Sequence, residues 1–236
     1  MQIENIVNLL NKERGYTIDP GYYKHIAIWR EWWQGYCPEF HRYREFDGSS
    51  VRTRRKYGLR MAKKICEDWA NILLNEKTQI IVDDEYSNEY LRGKNGISGL
   101  LGNAGFWQAA NALVEKAFWS GTGAILLRIN NATISGGSLA GSNTGEIDFD
   151  YVPASGIIPL TLKHGRIIDC AFVSEVVEKG QKYLYLETHV KEGGRYRITN
   201  EYYKKTDGAI VKTSLPDDLI PEYTAATDTP FFAIIK

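Results

Sequence analysis

Residues 166–204, RIIDCAFVSEVVEKGQKYLYLETHVKEGGRYRITNEYYK, carry long runs of alternating side-chain character broken only by Lys179-Gly180 and Gly193-Gly194. Alternation with a period of two puts every second side chain on one face only if the chain is extended, so the runs 166–177, 182–191 and 195–204 are predicted strands. Glycine-bearing pairs between them supply the positive-φ residues that tight hairpins need. The same reading extends outward to strands at 124–129, 146–152, 157–162 and 209–213, the last set off by Asp207-Gly208. Short turns between consecutive strands make an antiparallel β meander. The loop 130–145, with Gly136-Gly137-Ser138 and Gly141-Ser142-Asn143, is expected to be an exposed, flexible insertion.

Before residue 124 the period changes to that of helices. Ile3, Ile6, Val7 and Leu10 recur at helical spacing over 2–12, closed by Gly15 and Asp19-Pro20. A second helix is predicted over 20–36, where Tyr22, Ile26, Trp29, Trp33 and Tyr36 form one aromatic face that Pro38 ends. Residues 39–53 lack periodicity and read as a turn or loop. A long helix over 54–76 follows, its apolar stripe Tyr57, Met61, Ile65, Trp69, Ile72 and Leu73, then a short strand at 79–82. A further helix over 103–120 lines up Phe106, Ala110, Leu113 and Ala117, with Asn103 as N-cap and Gly121 at its end. The fold class is therefore α+β, N-terminal helices followed by an antiparallel β meander, in two parts, 1–123 and 124–236.

Composition narrows the function classes. Lys+Arg and Asp+Glu each number 29, so the whole chain exerts no long-range pull on nucleic acid, a membrane or an acidic substrate. Cys37, Cys66 and Cys170 are far apart and lack a CxxC pair, which suits free thiols in a reducing compartment better than a disulfide framework. No stretch approaches the roughly 18 apolar residues of a membrane span. The apolar run Phe231-Phe232-Ala233-Ile234-Ile235 is unusual for a free tail and suggests that a longer gene product continues beyond it.

The motifs of chemistry are weak. In the stretch 93–102 Lys94 is followed by Asn95 rather than by Ser or Thr entering a helix, so a phosphate loop is disfavoured and a flexible connection expected. Cys37 and His41 are four apart, but no second Cys/His pair completes a zinc set, and His25, His164 and His189 are scattered. There is no nucleophile elbow, and the acidic residues of 146–150 alternate with apolar ones as a solvated strand face does. No catalytic, cofactor-binding or metal-ligating residue is assigned. A hydrolase or transferase in the β part would need a pocket of clustered, perturbed carboxylates. The local anomaly is 42–64, where Arg42, Arg44, Arg52, Arg54, Arg55, Lys56, Arg60, Lys63 and Lys64 face only Glu45 and Asp47, nine cations against two anions. Nucleic acid, an acidic surface on a neighbouring subunit and a solvated helix face all remain open as explanations.

Particular wordings add a family. The runs Ile28-Trp29-Arg30-Glu31-Trp32-Trp33-Gln34-Gly35 and Lys63-Lys64-Ile65-Cys66-Glu67-Asp68-Trp69-Ala70-Asn71-Ile72-Leu73-Leu74-Asn75-Glu76 resemble the N-terminal region of portal proteins of long-tailed bacteriophages of Gram-positive hosts. Ala117-Phe118-Trp119-Ser120-Gly121-Thr122-Gly123-Ala124 and Gly165-Arg166-Ile167-Ile168-Asp169-Cys170-Ala171-Phe172-Val173 are similar to that group as well. The resemblance implies the wing of a ring subunit, usually one of twelve copies at a capsid vertex, with double-stranded DNA passing transiently through the channel. It also implies contact with the major capsid or scaffolding protein, and a location in the virion or, during assembly, in the host cytoplasm. The terminase and tail connectors would meet only the stem, clip and crown, which this stretch does not supply, and neither a cofactor nor a membrane is expected. Within that reading Arg52, Arg54, Arg55, Lys56, Arg60, Lys63 and Lys64 are candidates for DNA or intersubunit contact. Trp29, Trp32, Trp33 and Trp69 are candidate packing anchors. The alternative is a nucleic-acid-binding module centred on 42–64.

Overall fold

The protein is described by a computed structural model, and the described residues are 2–75, 77–94, 98–140, 145–206, 209–216 and 219–236. Seven helices come first, interrupted by one hairpin: α1 (Gln2–Arg14), α2 (Gly21–Trp33), α3 (Pro38–His41), the strands β1 (Arg42–Phe46) and β2 (Val51–Arg55), α4 (Met61–Leu73), α5 (Glu85–Arg92), α6 (Leu100–Asn103) and α7 (Phe106–Ser120). Strands follow: β3 (Gly123–Asn130), β4 (Thr133–Ser135), β5 (Ser138–Ala140), β6 (Glu146–Pro153), β7 (Ile157–Lys163), β8 (Arg166–Glu178), β9 (Gln181–Glu192), β10 (Arg195–Thr206), β11 (Ala209–Thr213), β12 (Glu222–Thr224) and β13 (Phe232–Ile235). The α+β class is as the two periodicities require.

The meander β7-β8-β9-β10 is consecutive and antiparallel, and its turns use Gly165, Gly180, Gly193 and Gly194 at positive φ. Beyond it the sheet continues through β12, β5 and β4, with β11 also paired to β10. A separate three-stranded sheet runs β13-β3-β6. The long strands are buried on both faces, which is why Leu184 to His189 is an unbroken buried run. On one face α1 and α2 lay Ile3, Ile6, Val7, Leu10, Tyr23 and Ile26 against Ile158, Ala171, Leu184 and Leu186. On the other the small sheet packs Ala124, Leu126 and Phe232 against Cys170, Phe172 and Ile198. The outer face of that small sheet is covered in turn by Leu101, Phe106 and Ala110 of α6 and α7, which meet Ile125, Phe149 and Tyr151. The first helices therefore share a core with the large sheet.

Several expectations need correction. Residues 42–55 are an antiparallel hairpin, with Arg42 opposite Arg55 and Phe46 opposite Val51; the Asp47 side chain accepts from the Ser49 and Ser50 backbone amides and sets the turn. The helix predicted over 54–76 begins only at Met61, so Arg54, Arg55 and Lys56 precede it. Its buried residues are Cys66 and Ala70, small side chains that let α4 approach α7, and the stripe Ile65, Trp69, Ile72 and Leu73 faces out. Residues 79–82 form no strand. An unforeseen helix, α5, follows, capped by the Asp84 carboxylate on the Ser87 amide at 2.7 Å. Asn103 ends α6 and does not cap α7, whose N-cap is Gly105; the predicted end at Gly121 is left-handed, φ 85°. The insertion 130–145 contains the β4-β5 hairpin, which joins the large sheet through Ser138 opposite Thr224.

Gly93 and Gly99 of the glycine-rich stretch touch, since a Cβ on Gly99 would sit 2.3 Å from the Gly93 nitrogen, and the stretch is a close backbone crossing at its described ends. Residues 95–97, Gly141-Ser142-Asn143, Asp207-Gly208 and Glu76 lie outside the described residues. The apolar run at 231–235 is used inside the fold, as β13 pairs with β3.

Because Leu10 is fully enclosed between α1 and the sheet, Leu10→Ala is expected to cost about 3 kcal/mol. Ala70→Leu, which overfills the α4–α7 contact, is expected to cost about 2 kcal/mol. Denaturant titration of each variant measures both.

Candidate functional site

Two regions hold the residues to which function can be attached: the outer surface of α2, α4 and the hairpin, and a cleft between the two sheets.

On the outer surface the four tryptophans separate by burial. Trp33 turns inward, stacks on Trp119 at 5.5 Å between ring centres, and donates its Nε1–H to Glu115 at 3.1 Å. Trp29, Trp32 and Trp69 remain exposed. Trp29 meets the rings of Tyr22 and His25, Trp32 leans on Phe40 and His41, and Trp69 stacks on Phe118 at 6.0 Å. The buried face of α2 is Tyr23 and Ile26, with Tyr23 donating to the Ile157 carbonyl at 2.9 Å. His41 is not poised for a metal with Cys37: its Nδ1 accepts from the Cys37 backbone amide at 2.9 Å and its ring is boxed by Trp32, Tyr36 and Phe40. Cys37, Cys66 and Cys170 are free and buried.

The basic segment separates by partner. Arg52 pairs with Asp47 at 2.6 Å, Arg54 pairs with Glu45, and Lys63 and Lys64 pair one turn along α4 with Glu67 and Asp68 at 3.5 and 2.7 Å. Arg42, Arg44, Arg55, Lys56 and Arg60 have no carboxylate partner among the described residues. Arg42 donates to the Tyr36 hydroxyl at 2.9 Å and Arg55 lies over the Tyr36 ring at 4.1 Å, while Lys56 sits 5.0 Å from the Phe40 ring. Arg60, left-handed at φ 52°, lays its stem against Gly35.

The cleft, about 880 Å³, opens where β3 and β6 diverge from β8 and β9, and its charged lining includes Arg30, Arg128, Asp150, Glu175 and Glu187. At its floor Glu187 is the organising group. One carboxylate oxygen accepts from Arg128 at 2.9 Å and lies 3.0 Å from the Tyr185 hydroxyl; the other accepts from His189 Nε2–H at 2.8 Å. Arg128 also pairs with Asp150, and the Tyr185 hydroxyl lies 2.8 Å from Asn200 Oδ1. Burial alone pushes the Glu187 carboxyl up, but the His189 hydrogen bond and the Arg128 guanidinium outweigh it and hold the group below the usual carboxylate range. Burial also raises Tyr223 beside it, to about 12. Glu187 is thus ionised at neutral pH with both oxygens engaged, the condition of a structural ion pair; a general acid would need the opposite shift.

Sequence reading missed this cluster. Tyr185, Glu187 and His189 occupy alternate positions of β9 and so share a face, a signal present in the order of residues; what hid it is that acidic residues alternating with apolar ones usually mark solvent. That reading holds for Glu146 and Asp148, which are exposed, while Asp150 turns to Arg128. No protein-family model matches the chain, and comparison with curated proteins gives no match.

Trp33→Ala is expected to cost roughly 2–3 kcal/mol, at or below the range for an enclosed aromatic, and Trp29→Ala under about 0.5 kcal/mol. Arg128→Met, which strands the buried Glu187 charge, is expected to cost about 3 kcal/mol in denaturant titration. Glu187 and Glu201 both have lowered folded-state values, Glu201 because Lys212 and Arg14 outweigh its burial. The stability they contribute is present above the unfolded carboxylate value of about 4.3 and is lost as pH falls through the lower folded values. The acid limb of a stability–pH profile is expected to be shallower in Arg128→Met than in the parent.

Proposed function

We propose that this chain is a structural assembly subunit, the wing region of a portal-type ring through which double-stranded DNA is packaged and ejected at a capsid vertex. One observation carries the reading: the apolar stripe of α4, Ile65, Trp69, Ile72 and Leu73, lies outward with Phe118 stacked on Trp69, and α2 adds exposed Ile28, Trp29 and Trp32. Exposed apolar surface of this aromatic content favours contact with other polypeptides. A helix such as α4, with small residues inward and large apolar residues outward, suits a protein whose further core forms only on assembly. The partners are other copies of the chain, the major capsid or scaffolding protein, and DNA in passage, in the virion or in host cytoplasm during assembly. In this role the Glu187 cluster fastens the two sheets together and performs no covalent chemistry, and no cofactor is required. Among the described residues no helix is long and apolar enough to cross a membrane.

The five basic residues without carboxylate partners favour a second reading, a nucleic-acid-binding module. Neutralising about five phosphates would make the logarithm of the association constant fall with that of salt concentration with a slope of about −4 to −5.

Mass measurement in solution across a concentration series is expected to give species larger than one chain, and Trp69→Ser with Ile72→Ser is expected to shift them towards the monomer. A chain that stays monomeric at every concentration, and binds a DNA duplex with that steep salt dependence, would replace the assembly reading with the second one.

A further inference from the structure

The β1-β2 hairpin and α5 bury little within the chain, α5 placing only the partly buried Leu91 against the α6–α7 cluster. All ten strand residues of the β1-β2 hairpin are exposed, and α5 has no buried residue. An isolated two-stranded hairpin and an isolated eight-residue helix are each marginal in water. Their surfaces are complementary.

The hairpin has two unlike faces. Residues opposite each other in an antiparallel pair project to the same side. One side therefore carries Tyr43 with Arg54 and Glu45 with Arg52, where charges are matched internally. The other carries Arg42 with Arg55, Arg44 with Thr53 and, at the tip, Phe46 with Val51. That second face has three cations, no acid and an apolar tip, with Phe46 66% exposed. Two arginines directly opposite each other repel; Tyr36 accepts from Arg42 and lies under Arg55 but brings no negative charge, so this face still suits an anionic partner.

The segment 79–91 has the reverse character. It contains Asp83, Asp84, Glu85 and Glu89 and no Lys or Arg, and Asp83, Asp84 and Glu85 form no ion pair among the described residues. Beside them Ile81, Tyr86 and Tyr90 are exposed, Tyr86 at 82%. Apolar contact fringed by opposite charge is the make-up of a specific protein interface.

We infer that the Arg42–Arg44–Arg55 face of the hairpin docks on the Asp83–Glu85 turn and α5 of a second copy of this chain, with Phe46 and Val51 seated against Ile81 and Tyr86. The two patches differ, so the contact is heterologous and repeats from copy to copy, as a ring requires. The inference rests on the assembly reading and names the surfaces that would meet. An apolar tip opposite an acidic, tyrosine-bearing helix favours this partner over duplex nucleic acid, which offers phosphates to the arginines but no exposed apolar side chains to Phe46 and Val51.

The test uses two charge-reversed chains. One carries Arg42→Glu, Arg44→Glu and Arg55→Glu; the other carries Asp83→Lys and Glu85→Lys, sparing Asp84 because it caps α5. Each alone is expected to self-associate roughly tenfold or more weakly than the parent by sedimentation. An equimolar mixture is expected to regain association, because each chain then supplies the face the other lacks; a misfolded variant could not do so. Parent and variants that associate equally would overturn the inference while leaving the assembly reading to the α2 and α4 surfaces. A mixture that stays dissociated would overturn the pairing of these two faces. A hairpin variant that loses binding to a short DNA duplex with self-association unchanged would assign the face to nucleic acid. A parent chain that is monomeric throughout would remove both readings.

Discussion

Over their buried middles, strands β8 and β9 have no free face. Each is covered there by helices on one side and by a second sheet on the other, so the side chains are apolar, small or drawn into hydrogen bonds. The rest of the architecture follows from that. Ala171 and Leu186 meet α1 and α2, while Cys170 and Phe172, one pleat away, meet the β3-β6-β13 sheet. The small sheet needs a cover of its own, which α6 and α7 provide. Tyr22 and Tyr23 then tie α2 to the end of α7 and to β7 by hydroxyl bonds to the Ser120 and Ile157 carbonyls.

Covering both faces leaves the polar positions of β9 inside. Glu187 and His189 are tolerated there because His189 Nε2 bonds the carboxylate, although its Nδ1 has no partner among the described residues, and because Arg128 reaches across from the small sheet to a carboxyl that burial alone would push up. The Tyr185 hydroxyl extends the network to Asn200 on β10. Such a network favours one placement of the two sheets on one another, since sliding one past the other would part Arg128 from the buried Glu187 charge. On the opposite face Arg14 and Lys212 converge on Glu201 and pin the end of α1 to β10.

The outer helices obey a different logic. The contact of α4 with α7 is made by Cys66 and Ala70, while the larger residues of α4 are turned away from it towards solvent. Its amphipathic pattern is as strong as that of a core helix, with the stripe and the buried face interchanged. The hairpin before it shows the same division in charge, one side neutral by internal pairing and one side left cationic. Both surfaces are open in the isolated chain.

The sequence by itself determined the class of the fold, the limits of the long strands and the buried positions of α1 and α7, because period and turn chemistry are local and 3.6 or 2 residues per repeat can be read without knowing the neighbours. It did not determine that 42–55 is a hairpin, since charged residues fill both strands and leave no apolar alternation to read; nor which side of α4 faces inward, since a stripe records amphipathicity and not the identity of what it meets. Gathering Arg128, Tyr185 and Glu187 from two sheets was likewise beyond it, because they are brought together by packing across 57 and 59 residues of chain. Tertiary structure decided those matters, for the physical reason that burial is a property of the partner surface, and a segment carries no record of its partner in its own periodicity.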